Sequence, residues 1–271
     1  MKNLSKKKIS LKKPFFSIIT VVKNDEVNIS KTIKSIQNQK FKNFEHIIID
    51  GKSSDKTFQK ISNNKKIDVL ISEKDDGIYY AMNKGLKISR GEVILFVNSG
   101  DLITKNALNI IYKKFVNLKI DFVFGTVRRH YNKDTILKYG FNLKKLNYNF
   151  DFATSHSTGF FLKKKFYNLV LNFDTKYKCS ADYDIYYKLF VKRKLKGAYT
   201  DKKQLIGIVS SGGFSSKFGF LNGILEECKI RLNNGQNFFI VLVILLNNFI
   251  KKFLKTTFNF YNDKEINQKN S

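Results

Sequence analysis

The 271-residue chain predicts an α/β fold, a mostly parallel sheet flanked by helices, with a helical C-terminal extension. Three observations predict it. Short, almost wholly apolar runs recur, and the clearest is GEVILFVNSGD, from Gly91 to Asp101. A run of that kind reads as a strand buried on both faces. Strand and helix patterns alternate four times through the first half, as right-handed crossovers require. Three of the strands also end in acidic or amide-rich loops: Lys23-Asn24-Asp25, Asp50-Gly51 and Asn98 to Asp101. In an open α/β sheet such ends converge on the edge where ligands bind.

The elements follow in order. Residues 1–13 form a basic tail with no apolar segment behind it, so it is not read as a signal peptide. Phe15 to Val22 is the first strand, and Ile29, Ile33 and Ile36 then recur at helical spacing. Phe44 to Ile49 is the second strand. Gly51 to Asp55 supplies capping residues for a helix carrying Thr57 and Ile61. Asp68 to Ile71 is a short third strand, and Asp75-Asp76-Gly77 turns the chain into a helix from about Ile78 to Leu86. The Gly91–Asp101 strand comes fourth. A helix with Leu108, Ile110, Ile111 and Phe115 leads to a fifth strand near Phe122 to Val127. Arg128 to Phe152 is polar, aromatic and reads as irregular. His156 precedes a further strand, GFFL, at Gly159 to Leu162. Asp182-Tyr183-Asp184 opens a helix, and Ile206 to Val209 with the loop after it closes a domain expected at 14–216.

Residues 217–271 form the extension. Phe238 to Leu246 is nine apolar residues in a row, too short to span a bilayer. The pattern continues with Phe249, Ile250, Phe253 and Leu254 on one face, against Asn247, Asn248, Lys251, Lys252 and Lys255 on the other. A basic amphipathic helix of this kind lies in a membrane interface. The alternative is a terminal helix docked on the domain, or on a second subunit of a homo-oligomer.

Fifty Lys and Arg against 22 Asp and Glu give a formal net charge of +28. Nucleic acid, an anionic membrane surface and phosphate-bearing substrates are the partners such a charge suits. No basic stretch is interleaved with aromatics in an RNA-binding pattern, so no nucleic-acid partner is expected. Cys179 and Cys228 lie far apart, with neither metal-ligand spacing nor a disulfide framework, which fits a reducing compartment.

Five motifs in order, SIITVVKN, IIIDGKSSDKT, EKDDGIYYAMNKG, GEVILFVNSGD and ADYD, resemble those of glycosyltransferase family 2. The resemblance runs from Phe16 to about Ser216. It implies the GT-A fold, with a Rossmann-type sheet, and the DGIYYAMNKG and FVNSGD pair looks most like members that build bacterial surface polysaccharides. The implied activity is inverting transfer of a sugar from a nucleotide sugar, with UDP the expected carrier, to a hydroxyl of a glycan or lipid-linked saccharide. The implied location is the cytoplasm, peripheral on the inner face of the membrane. The irregular stretch from Arg128 to Phe152 reads as an insertion over the acceptor side. The rival reading is a non-catalytic nucleotide-sugar-binding or scaffold subunit of a glycan-assembly complex.

The resemblance also implies roles. Thr20, Val21, Val22 and Lys23 would cradle the nucleotide base, and Asp50 would accept a hydrogen bond from uracil, with helix capping as its alternative role. Asp76 and Gly77 would lie near the ribose or the transferred sugar, and Lys84 would face the diphosphate. Asn98, Ser99 and Gly100 form the loop that leads to Asp101, the last acid of a metal-binding loop. Mg²⁺ or Mn²⁺ there would bridge Asp101 to the phosphates. His156 is the candidate second ligand or phosphate contact. The family often has two or three acids in this loop, where this chain has Asn98 and Gly100. Asp182 matches the catalytic base, with Asp184 as the alternative. Inversion at an anomeric carbon needs a carboxylate on the face opposite the leaving group. The family commonly has Glu-Asp here, and this chain has Ala181-Asp182.

Overall fold

The computed structural model describes residues 13–130, 135–148, 157–170, 172–210 and 218–269, which fall into two compact units divided between residues 217 and 218. In the first unit, β1 (Phe16–Val22), β2 (Phe44–Asp50), β3 (Val69–Ser72), β4 (Val93–Phe96), β6 (Phe122–Phe124), β9 (Phe160–Lys163) and β10 (Gly197–Tyr199) form one seven-stranded sheet. Its order is β10-β6-β9-β4-β1-β2-β3. All neighbours pair parallel except β9, which runs antiparallel to both β4 and β6. The predicted, mostly parallel α/β sheet is the one observed.

Four helices connect the strands of the first half: α1 (Ile29–Gln37), α2 (Thr57–Ser62), α3 (Ile78–Ile88) and α4 (Ala107–Asn117). On α1 the residues Ile29, Thr32, Ile33 and Ile36 are buried, the stripe that the i, i+4, i+7 spacing dictates. One core cluster joins Phe16, Ile18, Val93, Leu95 and Phe161 to Leu108, Ile111 and Phe115 of α4; a second joins Val22 and Ile48 to Ile29, Ile33 and Ile61. Helix α3 sits so close to β1 that a Cβ on Gly85 would lie 2.4 Å from Ile19 Cγ2. Only glycine fits that approach.

The expected fifth strand splits in two. β6 stays in the main sheet, while β7 (Thr126–His130) enters a second sheet with β5 (Leu102–Ile103), β8 (Thr135–Lys138) and β11 (Leu205–Val209), in the order β5-β11-β7-β8. The break falls at Gly125, where a Cβ would press within 2.8 Å of Ile206. Part of the segment read as irregular is therefore regular, because β7 pairs antiparallel with β8 from Val127↔Lys138 to His130↔Thr135. The outer half of β7 is polar and largely exposed, and β8 holds only Ile136 and Leu137 between polar residues, so neither carries the long apolar run that marks a buried strand.

Two short helices, α5 (Lys164–Leu169) and α6 (Ala181–Tyr186), complete the unit; α6 continues in wider π turns through Tyr187–Lys192. The strand register sets the functional edge. Val22 lies opposite Asp50, and Asp50 opposite Ser72, so β1, β2 and β3 end together.

The second unit contains α7 (Phe220–Asn233) and α8 (Phe238–Lys269), which pack on each other, with Phe220 edge-on to Phe249. On α7, Arg231 is fully buried, and its guanidinium donates to Glu227 Oε1 and Gln236 Oε1. On α8, Val241 and Ile244 are buried, whereas Phe238, Phe239, Ile240, Leu242, Val243, Leu246, Phe249, Ile250, Phe253 and Leu254 are exposed. At 3.6 residues per turn the exposed set fills an arc of about 200°. Among the described residues no helix is long and apolar enough to cross a membrane.

Candidate active site

The carboxyl ends of β1 to β4 open into a cavity of about 930 Å³. That is the size of a pocket that encloses a drug-sized or nucleotide-sized ligand. Its walls bring together Val21, Val22 and Lys23 after β1, Gly51 after β2, Asp75, Asp76 and Gly77 after β3, Asn98 to Asp101 after β4, and Asp182 of α6.

The loop after β4 is pinned from three sides. Thr32 of α1 accepts from Gly100 N at 3.1 Å and donates to the Asp101 carbonyl at 2.9 Å. Ser99 donates to Asp25 Oδ2 at 2.6 Å, and Ser210 donates to the Gly100 carbonyl at 2.7 Å. Gly100 sits at φ +95°, a conformation that side chains oppose. The Asp101 side chain accepts from Thr158 Oγ1 at 2.7 Å and from Ser210 N at 3.3 Å.

Asn98 lies beside it with Oδ1 buried and without a hydrogen-bond donor. A carboxylate and an orphaned amide oxygen in one loop are hard donors suited to Mg²⁺ or Mn²⁺. Among the described residues no group of three His, Cys, Asp or Glu is assembled; a cation held at this loop would take its other ligands from phosphate and water.

Asp182 stands at the first turn of α6, on the cavity wall. Its Oδ1 accepts from Tyr183 N at 3.1 Å and lies 3.3 Å from the Tyr79 hydroxyl, which also donates to the Cys179 carbonyl at 2.6 Å. Tyr79, Tyr167 and Tyr186 surround it. Burial first, and the Asp182 charge second, push all three phenols upward, so they stay neutral donors.

Several expectations are corrected. Asp184 faces away from the cavity; it is buried and ion-paired with Lys188 at 2.6 Å. Thr20 is fully buried under the edge, bonded to His46 Nε2 at 3.0 Å, and does not line the cavity as Val21, Val22 and Lys23 do. Asp50 is fully buried, and its oxygens accept from Ser53 N, Ser53 Oγ and Ser72 Oγ. It organises the turn after β2 and does not cap α2, whose first residue is Thr57 and whose N-cap, Lys56, makes no side-chain cap hydrogen bond; Gly51 lines the wall there. Lys84 does not face the cavity; it pairs with Glu73 at 2.7 Å and with Asp75. Burial lowers its ammonium pKa, but the hydrogen bonds to Asp75 and Glu73 outweigh that, and the net shift is upward. His156 lies outside the described residues.

Sequence reasoning missed Asp75, Tyr79, Arg129 and Lys178, all on the wall. Arg129 and Lys178 join Lys23 as cations able to meet phosphate. The signal for Asp75 was in plain view, next to Asp76, which also lines the cavity.

The family profile described as "Glycosyl transferase family 2" matches residues 17–190. The chain belongs to glycosyl transferase family 2. Among curated relatives of this member, a GalNAc(5)-diNAcBac-PP-undecaprenol beta-1,3-glucosyltransferase of Campylobacter jejuni is 35% identical over 117 residues, 41% of this chain and 38% of that one. The Escherichia coli UDP-Glc:alpha-D-GlcNAc-diphosphoundecaprenol beta-1,3-glucosyltransferase WfgD is 30% identical over 125 residues, 45% of this chain and 49% of that one. The chain thus spans less than half the length of these relatives. Among solved structures, S. aureus TarS 1-349 in complex with UDP-GlcNAc superposes with a TM-score of 0.65 at 18% identity, over 86% of this chain and 71% of that one. Mannosyltransferase PcManGT of Pyrobaculum calidifontis, with GDP-Man and Mn²⁺, gives 0.57 at 14%, over 83% and 64%. The family 2 chain therefore has the GT-A glycosyltransferase fold.

Proposed function

We propose that this family 2 protein is an inverting glycosyltransferase that moves a sugar from a UDP-sugar to a hydroxyl of a glycan or lipid-linked saccharide. The observation that carries the reading is that Asp101 and Asp182 line one cavity from different elements, the β4 loop and α6. Asp182 accepts the proton of the acceptor hydroxyl. That oxygen bonds to the anomeric carbon as the carbon's bond to the diphosphate breaks. Lys23, Arg129 and Lys178 meet the charge on the departing diphosphate. Asp101 and Asn98 would hold a divalent cation, which when bound neutralises charge on the leaving group. The relatives named for undecaprenol-linked substrates support a lipid-linked acceptor.

The reading includes attachment to the inner membrane face. The exposed apolar arc of α8, in a chain of net charge +28, suits an anionic interface. The enzymatic reading is tested by incubating the protein with a panel of nucleotide sugars and Mn²⁺ while following thermal stabilisation and sugar release. UDP-sugars should raise the melting temperature and be turned over. A panel with neither effect overturns the reading. The attachment is tested by sedimentation with anionic vesicles: the full chain should bind, more weakly in salt. A truncation after Gly235 that binds equally well removes α8 as the anchor.

A further inference from the structure

The carboxylate assigned as the base follows a segment with little regular structure. From residue 172 to 180 the backbone makes short turns and irregular stretches before α6 begins. The helix start adds no side-chain cap, since its N-cap Ser180 makes no such bond. What holds the segment comes from α3, 90 to 103 residues earlier in the chain. Asn83 grips both backbone groups of Phe173: Nδ2 donates to the Phe173 carbonyl at 2.8 Å, and Oδ1 accepts from Phe173 N at 3.0 Å. Tyr79 lies one turn before Asn83 on the same face of α3. Its ring stacks on Phe173, with centroids 5.3 Å apart. Phe173 in turn meets Phe96, the last residue of β4, edge-on at 5.4 Å, which ties the clamp to the strand that leads to Asp101. The Tyr79 hydroxyl then reaches the Cys179 carbonyl at 2.6 Å and Asp182 Oδ1 at 3.3 Å.

We propose that Tyr79 is the positioning residue for the base: its hydroxyl sets the direction of the Asp182 carboxylate, and the grip of α3 on Phe173 sets the hydroxyl. The inference rests on the reading of Asp182 as the base. A phenol carries one hydrogen, so the two acceptors share it in a three-centre bond with its shorter arm at Cys179. The sharing fixes the backbone three residues before Asp182 and one carboxylate oxygen together. The contact that Oδ1 receives from Tyr183 N, at 3.1 Å, comes from the adjoining residue and moves with it. The bond from Tyr79 instead refers the carboxylate to a separate element of the fold. Burial first, and the Asp182 charge second, raise the Tyr79 phenol, so it stays a donor beside a carboxylate. A base must point at the hydroxyl it deprotonates, and a misplacement of about 1 Å can cost about 100-fold in rate. Tyr79 acts through Asp182 and not on the reacting atoms.

The test is a double-mutant cycle on the full chain. The probes are UDP-glucose, UDP-galactose, UDP-N-acetylglucosamine and UDP-N-acetylgalactosamine, with Mn²⁺ present and water as the acceptor. UDP release gives kcat and KM, and calorimetry gives UDP affinity. Tyr79→Phe keeps the stacked ring and removes the hydroxyl. On the donor that the wild type turns over fastest it should lower kcat by about 10- to 100-fold, with KM and UDP affinity within about twofold of wild type. In an Asp182→Asn background the same substitution should have no further effect, because a base that is gone cannot be misdirected. Asn83→Ala frees Phe173 and keeps the hydroxyl. It should lower kcat by a smaller factor, again with no further effect beside Asp182→Asn, and it carries the test if Tyr79→Phe fails to fold. A Tyr79→Phe enzyme with wild-type kcat, or one whose loss multiplies with that of Asp182→Asn, overturns the proposal. So does a variant that loses UDP affinity and melting temperature while bound donor turns over normally, the pattern of a purely structural role. Wild-type turnover by Asp182→Asn overturns the base reading itself, and a wild type that releases UDP from none of the four donors overturns the glycosyltransferase reading. Both outcomes are distinct from a Tyr79→Phe enzyme that behaves as wild type.

Discussion

The two ends of the central sheet carry similar residues and treat them differently. At the amino ends, Glu45 is 2% exposed and fully engaged. Its Oε1 accepts from Ser17 Oγ at 2.6 Å and from Arg90 N at 2.6 Å, and its Oε2 accepts from Arg90 Nε at 2.9 Å. Ser17 Oγ in turn accepts from Gly91 N at 2.7 Å. The network closes on itself and stitches β1, β2 and the start of β4. At the carboxyl ends, buried oxygens of Asp75 and Asn98 have no donor, and Asp101 and Asp182 face open volume. A saturated polar network specifies the fold. The donorless oxygens of Asp75 and Asn98 belong to residues on the cavity wall, and the apolar core lies beneath both ends.

The largest expected effect tests the open end. Asp182→Asn keeps the shape and removes the base, so turnover should fall by about 10²–10⁴-fold with UDP affinity near wild type. Asp184→Asn should leave chemistry nearly intact and lower the melting temperature, since its partner is Lys188 and not the cavity. Transfer assays showing the reverse pattern would exchange the two roles.

The closed end should answer only in stability. Glu45→Ala strands Ser17, Arg90 N and the Arg90 side chain, and should cost about 2–4 kcal/mol in denaturant unfolding, because Arg90 is partly exposed and can rehydrate. UDP affinity, measured below the unfolding transition, should not change. A selective loss of UDP binding would erase the distinction between the two ends.

His46 lies between them, on β2, and gives the sheet a pH dependence. Burial depresses its imidazole to about 3 from an ordinary value of 6.5. The folded protein therefore binds this proton less readily than the unfolded chain. The stability it contributes is complete above pH 6.5 and is lost as pH falls toward 3. Between pH 6.5 and 5 the loss should be about 2 kcal/mol. His46→Gln can keep a hydrogen bond to Thr20 and should flatten that slope in unfolding measured at the two pH values. An unchanged slope assigns the acid lability elsewhere.

The smallest effect concerns the cation. Asp101→Ala should abolish the gain in UDP affinity that Mn²⁺ brings, about tenfold for one charged ligand. Equal UDP affinity with metal and with chelator in the wild type would remove the cation from this end.

Much of this architecture was legible because its causes are local. Val93 to Phe96 is buried on both faces, and an uninterrupted apolar run is what such a strand requires. Ile29, Ile33 and Ile36 mark α1 through helical period alone. Asp101 and Asp182 could be named because each stands in a motif whose spacing is a property of the chain. The hairpin of β7 and β8 was not legible, since the outer half of β7 is polar and the Ile136-Leu137 pair of β8 is too short a run to mark a strand.

Tertiary structure decided how the polar residues are shared out. Asp50 and Asp75 both follow strands that end at the same edge, and the sequence favours Asp50. The fold folds Ser53 and Ser72 onto Asp50 and lays Lys84 on one oxygen of Asp75, leaving the other without a donor. Asp182 and Asp184, two residues apart, are parted by the turn of α6, one toward the cavity and one toward Lys188. The sequence determined the buried strands and amphipathic helices and the edge at which they meet, because burial and period are written in neighbouring residues. Which carboxylate remains open depends on donors that arrive from distant parts of the chain, and only the folded arrangement brings those donors within hydrogen-bonding distance.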